Sequence, residues 1–105
     1  MNEKSKIKRL LLNKPDYVPI YIYKDNTPDI PDIKNNKFLV PRLITYGQFI
    51  NVVRNRINLL PTQSVFLHIG NTIPISSNTI QDIYDEYKDE IGVLRLTYSL
   101  ENTFG

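Results

Sequence analysis

The 105-residue chain contains no cysteine, a single histidine and only four glycines. Without cysteine there is no disulfide, no thiolate zinc site and no thiol nucleophile. The same absence suits a reducing compartment. His68 stands alone, so neither a second zinc ligand nor a nucleophile–base–orienter set can be assembled around it. It falls within a strand pattern, where an ordinary strand residue accounts for it. So few glycines leave no phosphate-cradling loop. No apolar run approaches the ~20 residues of a bilayer-spanning helix, and no charged-then-apolar leader opens the chain. The acidic stretch 82–90 lacks the alternating ligands and central glycine of a calcium loop. Neither an internal repeat nor a low-complexity tract is present. The expectation is a soluble, cytoplasmic single domain that is not an enzyme and holds no metal.

The residues that are present describe a globular protein. Apolar residues make up 41% and charged residues 23%, a balance that excludes wholesale disorder. The net charge of +2 is too small to argue for nucleic acid. Tyr17, Tyr21 and Tyr23 beside a basic segment would suit base stacking, but strand packing accounts for them and no nucleic-acid partner is expected. The charge is unevenly placed. Lys4, Lys6, Lys8, Arg9 and Lys14 crowd the first segment, and Asp82, Asp85, Glu86, Asp89 and Glu90 a later one. Two solvated helix faces explain this; a basic arm meeting an acidic partner or membrane surface is the alternative.

Hydrophobic spacing sets the element order. Ile7, Leu10 and Leu11 predict a short helix over 3–13, ended by Pro15. Val18, Ile20 and Ile22 alternate with Pro19, Tyr21 and Tyr23 in a half-buried strand. An Asp-, Asn- and Pro-rich loop over 25–36 leads to a short strand over 37–41, whose proline and brevity mark a sheet edge. Thr45 and Gln48 form a capping box, and Phe49, Val52, Val53 and Ile57 follow as one apolar stripe. Val65, Leu67 and Ile69 predict a third strand. Thr79 caps a second helix with Asp82 in its first turn; Ile80, Ile83, Tyr84, Tyr87 and Ile91 form its face, and Gly92 suits its C-cap. Leu94, Leu96 and Tyr98 lie on one face of a last strand over 93–98. This order predicts an α+β sandwich of one sheet and one main helix. A β-grasp satisfies it, with first and last strands parallel at the sheet centre; order alone also admits a ferredoxin-like variant.

Five segments in one register carry a resemblance. Lys14-Pro15-Asp16-Tyr17-Val18-Pro19-Ile20 resembles K-x-P-D-R-V-P-V, and Lys37-Phe38-Leu39-Val40-Pro41 resembles K-[YF]-L-V-P. Thr45-Tyr46-Gly47-Gln48-Phe49, followed by Arg54-Asn55-Arg56-Ile57, is similar to T-x-G-Q-F…R-[KR]-R-I. Residues Ile73 to Tyr84 resemble I-P-x-[TS]-S-x-T-[MI]-x-x-[LI]-Y, and Tyr98 to Gly105 resembles Y-S-x-E-x-[VT]-[YF]-G. These are the motifs of the ubiquitin-like autophagy modifiers, of GABARAP and light-chain type. The resemblance implies a ubiquitin-like β-grasp: a four-stranded mixed sheet, a main crossing helix, a second short helix and an N-terminal helix. It divides the chain into a helical extension (1–14), a ubiquitin-like domain (15–98) and a flexible conjugation tail (99–105).

The implied role centres on Gly105. A glycine carboxylate is uncrowded and conformationally free, so it can thread a narrow enzyme channel. The resemblance implies its activation by an E1-like enzyme, passage through E2-like cysteines and joining to phosphatidylethanolamine. That lipid is the only covalent group expected, with no other cofactor. A deconjugating cysteine protease and cargo receptors with aromatic-x-x-aliphatic motifs are the further implied partners. A monomer in the cytoplasm and, lipid-anchored, on the autophagosome membrane is expected. An unconjugated adaptor, or the same conjugation serving a non-autophagic organelle process, is the alternative.

Position by position, Leu10, Pro19, Tyr21, Lys37, Leu39 and Val93 match the pocket for the motif's aromatic residue. Phe38, Val40, Pro41, Ile44, Phe49, Val52 and Arg56 match the region that takes its aliphatic residue. Phe66 and His68 match a rear-face patch. Three departures stand out: Tyr17 replaces a basic residue, Asn35 and Asn36 replace lysines, and Val93 replaces a phenylalanine. They imply weaker attraction of acids flanking the motif and a larger aromatic pocket.

Overall fold

The computed structural model describes residues 2–26 and 31–102. Helix α1 (Glu3–Asn13) begins where the Asn2 side chain accepts the Ser5 N–H, and it stops ahead of Pro15. Strand β1 (Tyr17–Lys24) and edge strand β2 (Lys37–Pro41) pair antiparallel, with Pro19 opposite Leu39. Helix α2 (Tyr46–Arg56) carries both halves of the capping box: Gln48 N–H donates to Thr45 Oγ1 at 3.1 Å, and Thr45 N–H to Gln48 Oε1 at 2.9 Å. Strand β3 (Gln63–His68), helix α3 (Ile80–Tyr87) and strand β4 (Leu94–Asn102) complete the chain.

The sheet order is β2-β1-β4-β3, with β1 and β4 parallel at its centre. That pairing selects the β-grasp over the ferredoxin-like variant. Inward-facing Val18, Ile20 and Ile22 meet Leu94, Leu96 and Tyr98, with Phe49 and Val53 of α2 and Ile83 of α3 closing the core. Each such side chain contributes roughly 1.5–3 kcal/mol on burial. The α2 and α3 N-termini are tied together: Tyr46 N–H donates to the Asn78 carbonyl at 2.8 Å, and Ile80 N–H to that of Ile44 at 2.8 Å.

Several expectations change. The middle of β1, Val18–Ile22, is buried on both faces rather than half-buried. Its inner face meets the core, and α1 packs Ile7 and Leu11 onto the outward Tyr21 and Val93. Helix α3 ends at Tyr87, so Gly92 does not cap it. Gly92 has φ +92° in the following turn, and a Cβ there would lie 3.1 Å from Leu11 Cδ1 and 3.3 Å from the Tyr84 hydroxyl. It lets the turn approach α1. Gly92→Ala is expected to cost about 1–3 kcal/mol in a urea melt; an unchanged midpoint would show that the turn relaxes freely. β4 runs on to Asn102, paired as far as Gln63, so the expected tail from 99 starts inside the sheet.

Tyr46 is fully buried, and its hydroxyl meets no hydrogen-bond partner among the described residues. Burial pushes its phenol far above the ordinary value of 10.0. Tyr46→Phe is expected to leave stability unchanged or raise it by up to about 1 kcal/mol, since it removes an unpaired polar group. A clear loss on denaturation would reveal a partner for the hydroxyl. Tyr98 contrasts with it. Its hydroxyl donates to the Pro31 carbonyl at 2.9 Å and accepts the Ile33 N–H at 3.2 Å, pinning the segment before β2.

Candidate peptide-docking site

The site is the free edge of β2 and the cleft between β2 and α2. Ile22 N–H donates to the Asn36 carbonyl at 2.9 Å, and Arg42 N–H to that of Asp16 at 3.0 Å. The antiparallel alternation between these bonds turns the amide groups of Phe38 and Val40 toward β1. Those of Lys37, Leu39 and Pro41 turn outward. Pro41 has no N–H, and the Lys37 N–H already donates to Asn35 Oδ1 at 3.2 Å. Among the described residues, the edge therefore offers the Leu39 N–H and the C=O groups of Lys37, Leu39 and Pro41 to an incoming strand.

Side chains alternate with the same period. Phe38 and Val40 point inward, where Phe38 meets Phe49 edge-on at 5.5 Å and the Arg56 guanidinium lies 5.3 Å from the Phe38 ring centroid. These residues, with Lys37, Leu39, Pro41, Ile44 and Val52, line a cleft of about 210 Å³ that Asn35 completes. All seven residues expected in the aliphatic region are therefore brought together. Val52 corrects the expected helix stripe: Phe49 and Val53 are buried, whereas Val52 is 38% exposed at the cleft. Residues three apart on α2 splay enough to divide between core and cleft.

The aromatic region is arranged differently. Tyr21 lies on the outer sheet face with Lys37 Nζ 5.0 Å from its ring centroid. Leu39 beside it is 38% exposed. Pro19 is buried. Val93 is fully buried and clusters with Ile7 and Tyr21. The expected enlargement is therefore filled by α1. Ile7 and Leu11, not Leu10, make this contact; Leu10 is half-buried beside it. The sequence signal for Ile7 and Leu11 was their i, i+4 spacing, which α1 turns onto the sheet. Phe66 and His68 are half-buried side by side on β3, and His68 Nδ1 lies 2.9 Å from the Gly70 carbonyl. Strand pairing puts them on the outer face with Thr97 and Ser99. Gly105 lies outside the described residues.

The turn before β4 holds the groove's outer face to α1. Asp89 accepts the Ile91 and Val93 N–H groups at 3.0 and 2.9 Å, and Arg95 Nε at 2.7 Å. Partial burial opposes its charge, but the Val93, Arg95 and Ile91 donors outweigh burial and hold the carboxyl below its ordinary 3.8. A depressed carboxyl stabilises the fold above its unfolded value, and the contribution is lost as pH falls through the folded one. Protection factors of the amides in the 89–93 turn are therefore expected to fall only below about pH 4; equal protection factors at pH 3 and 6 would contradict this.

A ubiquitin-like sheet with an accessible edge strand defines a class of modifier and adaptor folds, and the comparisons narrow it. The family described as "Autophagy protein Atg8 ubiquitin like" matches residues 2–105. Autophagy-related protein 8a of Arabidopsis thaliana is 44% identical over 105 residues, covering 100% of this chain and 84% of that one. Autophagy-related protein 8 of Mycosarcoma maydis is 40% identical over 102 residues, covering 97% and 86%. The crystal structure of Trypanosoma brucei ATG8 superposes with a TM-score of 0.86 at 39% identity, covering 97% of this chain and 88% of that one. Plasmodium falciparum Atg8 in complex with a Plasmodium falciparum Atg3 peptide gives 0.85 at 28% identity, covering 96% and 89%. The chain belongs to the Atg8 family of ubiquitin-like autophagy proteins.

Proposed function

We propose that this protein is a non-enzymatic modifier joined through Gly105 to phosphatidylethanolamine on autophagosomal membranes, where it recruits receptors bearing aromatic-x-x-aliphatic motifs. The observation that carries the recruiting role is the unshared Leu39 edge beside the β2–α2 cleft. Alternate residues of a strand face opposite sides. An aromatic and an aliphatic residue three apart differ in parity, so a strand added at β2 would aim one over Tyr21 and the other into the cleft. The span is about 10 Å at ~3.3 Å per residue. The solved Plasmodium falciparum relative is itself a peptide complex, with a segment of Atg3. That supports an E2-like conjugating enzyme among the partners here; an E1-like enzyme and a deconjugating cysteine protease are proposed beside it from family membership alone.

Conjugation is supported by family membership. It is tested by following N-terminally tagged protein in starved source cells. A membrane-bound, faster-migrating band that phospholipase removes is expected. A single soluble band under starvation, with peptide binding retained, would favour the unconjugated adaptor instead.

A further inference from the structure

The sheet has a second edge. Strand β3 closes the order β2-β1-β4-β3 and pairs only with β4. Asp25 N–H donates to the Tyr98 carbonyl at 2.9 Å, so the backbone groups of Leu96 and Tyr98 turn toward β1. Those of Thr97, Ser99 and Glu101 turn toward β3, where His68, Phe66 and Ser64 bond to them. Gln63, Val65, Leu67 and Ile69 therefore turn outward. Both ends of this row are closed. Gln63 N–H donates to the Leu60 carbonyl at 3.0 Å, and the Gln63 carbonyl accepts from Arg54 Nη1 at 2.8 Å. Ile69 N–H donates to the Thr72 carbonyl at 2.8 Å, and Thr72 N–H to that of Ile69 at 2.9 Å. Between them, the N–H and C=O of Val65 and Leu67 meet no partner among the described residues.

A second copy of the same strand fits this window. The free groups are symmetric about Phe66. Laid antiparallel with Val65 opposite Leu67, the two strands satisfy every one of them, because the groups beyond are already taken. Composition agrees. β3 (Gln63–His68) carries no lysine, arginine, aspartate, glutamate or proline, whereas β2 carries Lys37 and Pro41. Native edges use such residues to refuse self-pairing. The flanks agree too. Leu60 before β3 and Ile73 after it are each 63% exposed. Antiparallel pairing sets the turn before β3 in one copy against the turn after it in the other, so Leu60 of one copy approaches Ile73 of the other. The Gln63 positions that hold Arg54 stay about 20 Å apart at ~3.4 Å per residue, so like charges do not meet.

We propose that this protein self-associates through β3 into a two-fold dimer with one continuous sheet. Phe66 meets its own copy on the axis, as a non-hydrogen-bonded pair whose Cα atoms approach to about 4.5 Å. The interface is small, so the dissociation constant is on the order of 1 mM and the dilute chain is a monomer. The two β2 edges lie at the far ends of the sheet, roughly 34 Å apart at ~4.8 Å per strand. Self-association does not rest on the docking reading; where that reading holds, the dimer presents two docking edges at once.

Amide exchange and sedimentation equilibrium on the full chain test this. Between about 20 μM and about 1 mM, exchange at the Val65 and Leu67 amides should slow about twofold, with the Leu39 amide unchanged. Phe66→Lys and Phe66→Glu each set like charges on the axis, so each alone should stay monomeric, and a one-to-one mixture should associate again. That recovery separates an interface effect from a loss of folding. Leu60→Asp, at an exposed site, should also weaken association while melting like wild type. Val65 and Leu67 amides that exchange at one rate at both concentrations overturn the proposal. Slowing at Leu39 instead would place the contact at β2 and overturn it equally. Association that survives Phe66→Lys contradicts the two-fold register.

Discussion

Leu39→Arg is expected to abolish useful peptide binding without unfolding the protein. Leu39 is the edge residue whose N–H and C=O face outward, and its side chain is already 38% exposed beside Tyr21. An arginine there keeps the β1 pairing, since Pro19 and Leu39 form a non-hydrogen-bonded pair. What it changes is the bound state, where a guanidinium would be trapped between the docked peptide and the Tyr21–Lys37 face without a partner. That costs about 2–3 kcal/mol, or a 30- to 150-fold loss of affinity. Surface substitutions away from special features usually move stability within about 0.5 kcal/mol. Calorimetric titration and a melt on the same sample check both halves. A large fall in melting temperature would show that the leucine supports the fold rather than the partner.

Gly105→Ala is expected to eliminate the lipid-linked form. The chemistry requires a carboxylate that can be threaded into an enzyme channel and attacked by an amine. A methyl group on the terminal Cα crowds both steps and restricts the backbone. The substitution adds a single methyl group, so folding and peptide docking should match wild type. Membrane fractionation of the two tagged proteins reads the effect. A phospholipase-sensitive band that survives in Gly105→Ala would place the linkage elsewhere.

Much of this fold was legible because local signals agreed with tertiary ones. The Thr45–Gln48 box, the Thr79 cap and the Pro-bounded edge strand each rest on a few adjacent residues, and each forms as expected. The features that escaped depend on neighbours distant in sequence. Val52 lies on a helical stripe in sequence, yet only the position of β2 decides that it faces the cleft while Val53 faces the core. Gly92 resembles a helix cap, but its positive φ serves a close approach of α1, some eighty residues earlier. Val93 suggested an open pocket because nothing local tells that Ile7 and Leu11 fill it. Arg95 carried no motif at all, yet Glu3, Asp89, Tyr21 and Tyr23 meet around its guanidinium.

The most direct test of the docking edge is amide hydrogen exchange on labelled protein, with and without an aromatic-x-x-aliphatic peptide. Addition of a strand at β2 predicts strong new protection at the Leu39 N–H. The Phe38 and Val40 amides, already committed to β1, should change little. A peptide that binds while the Leu39 amide exchanges as fast as before would contradict docking at this edge.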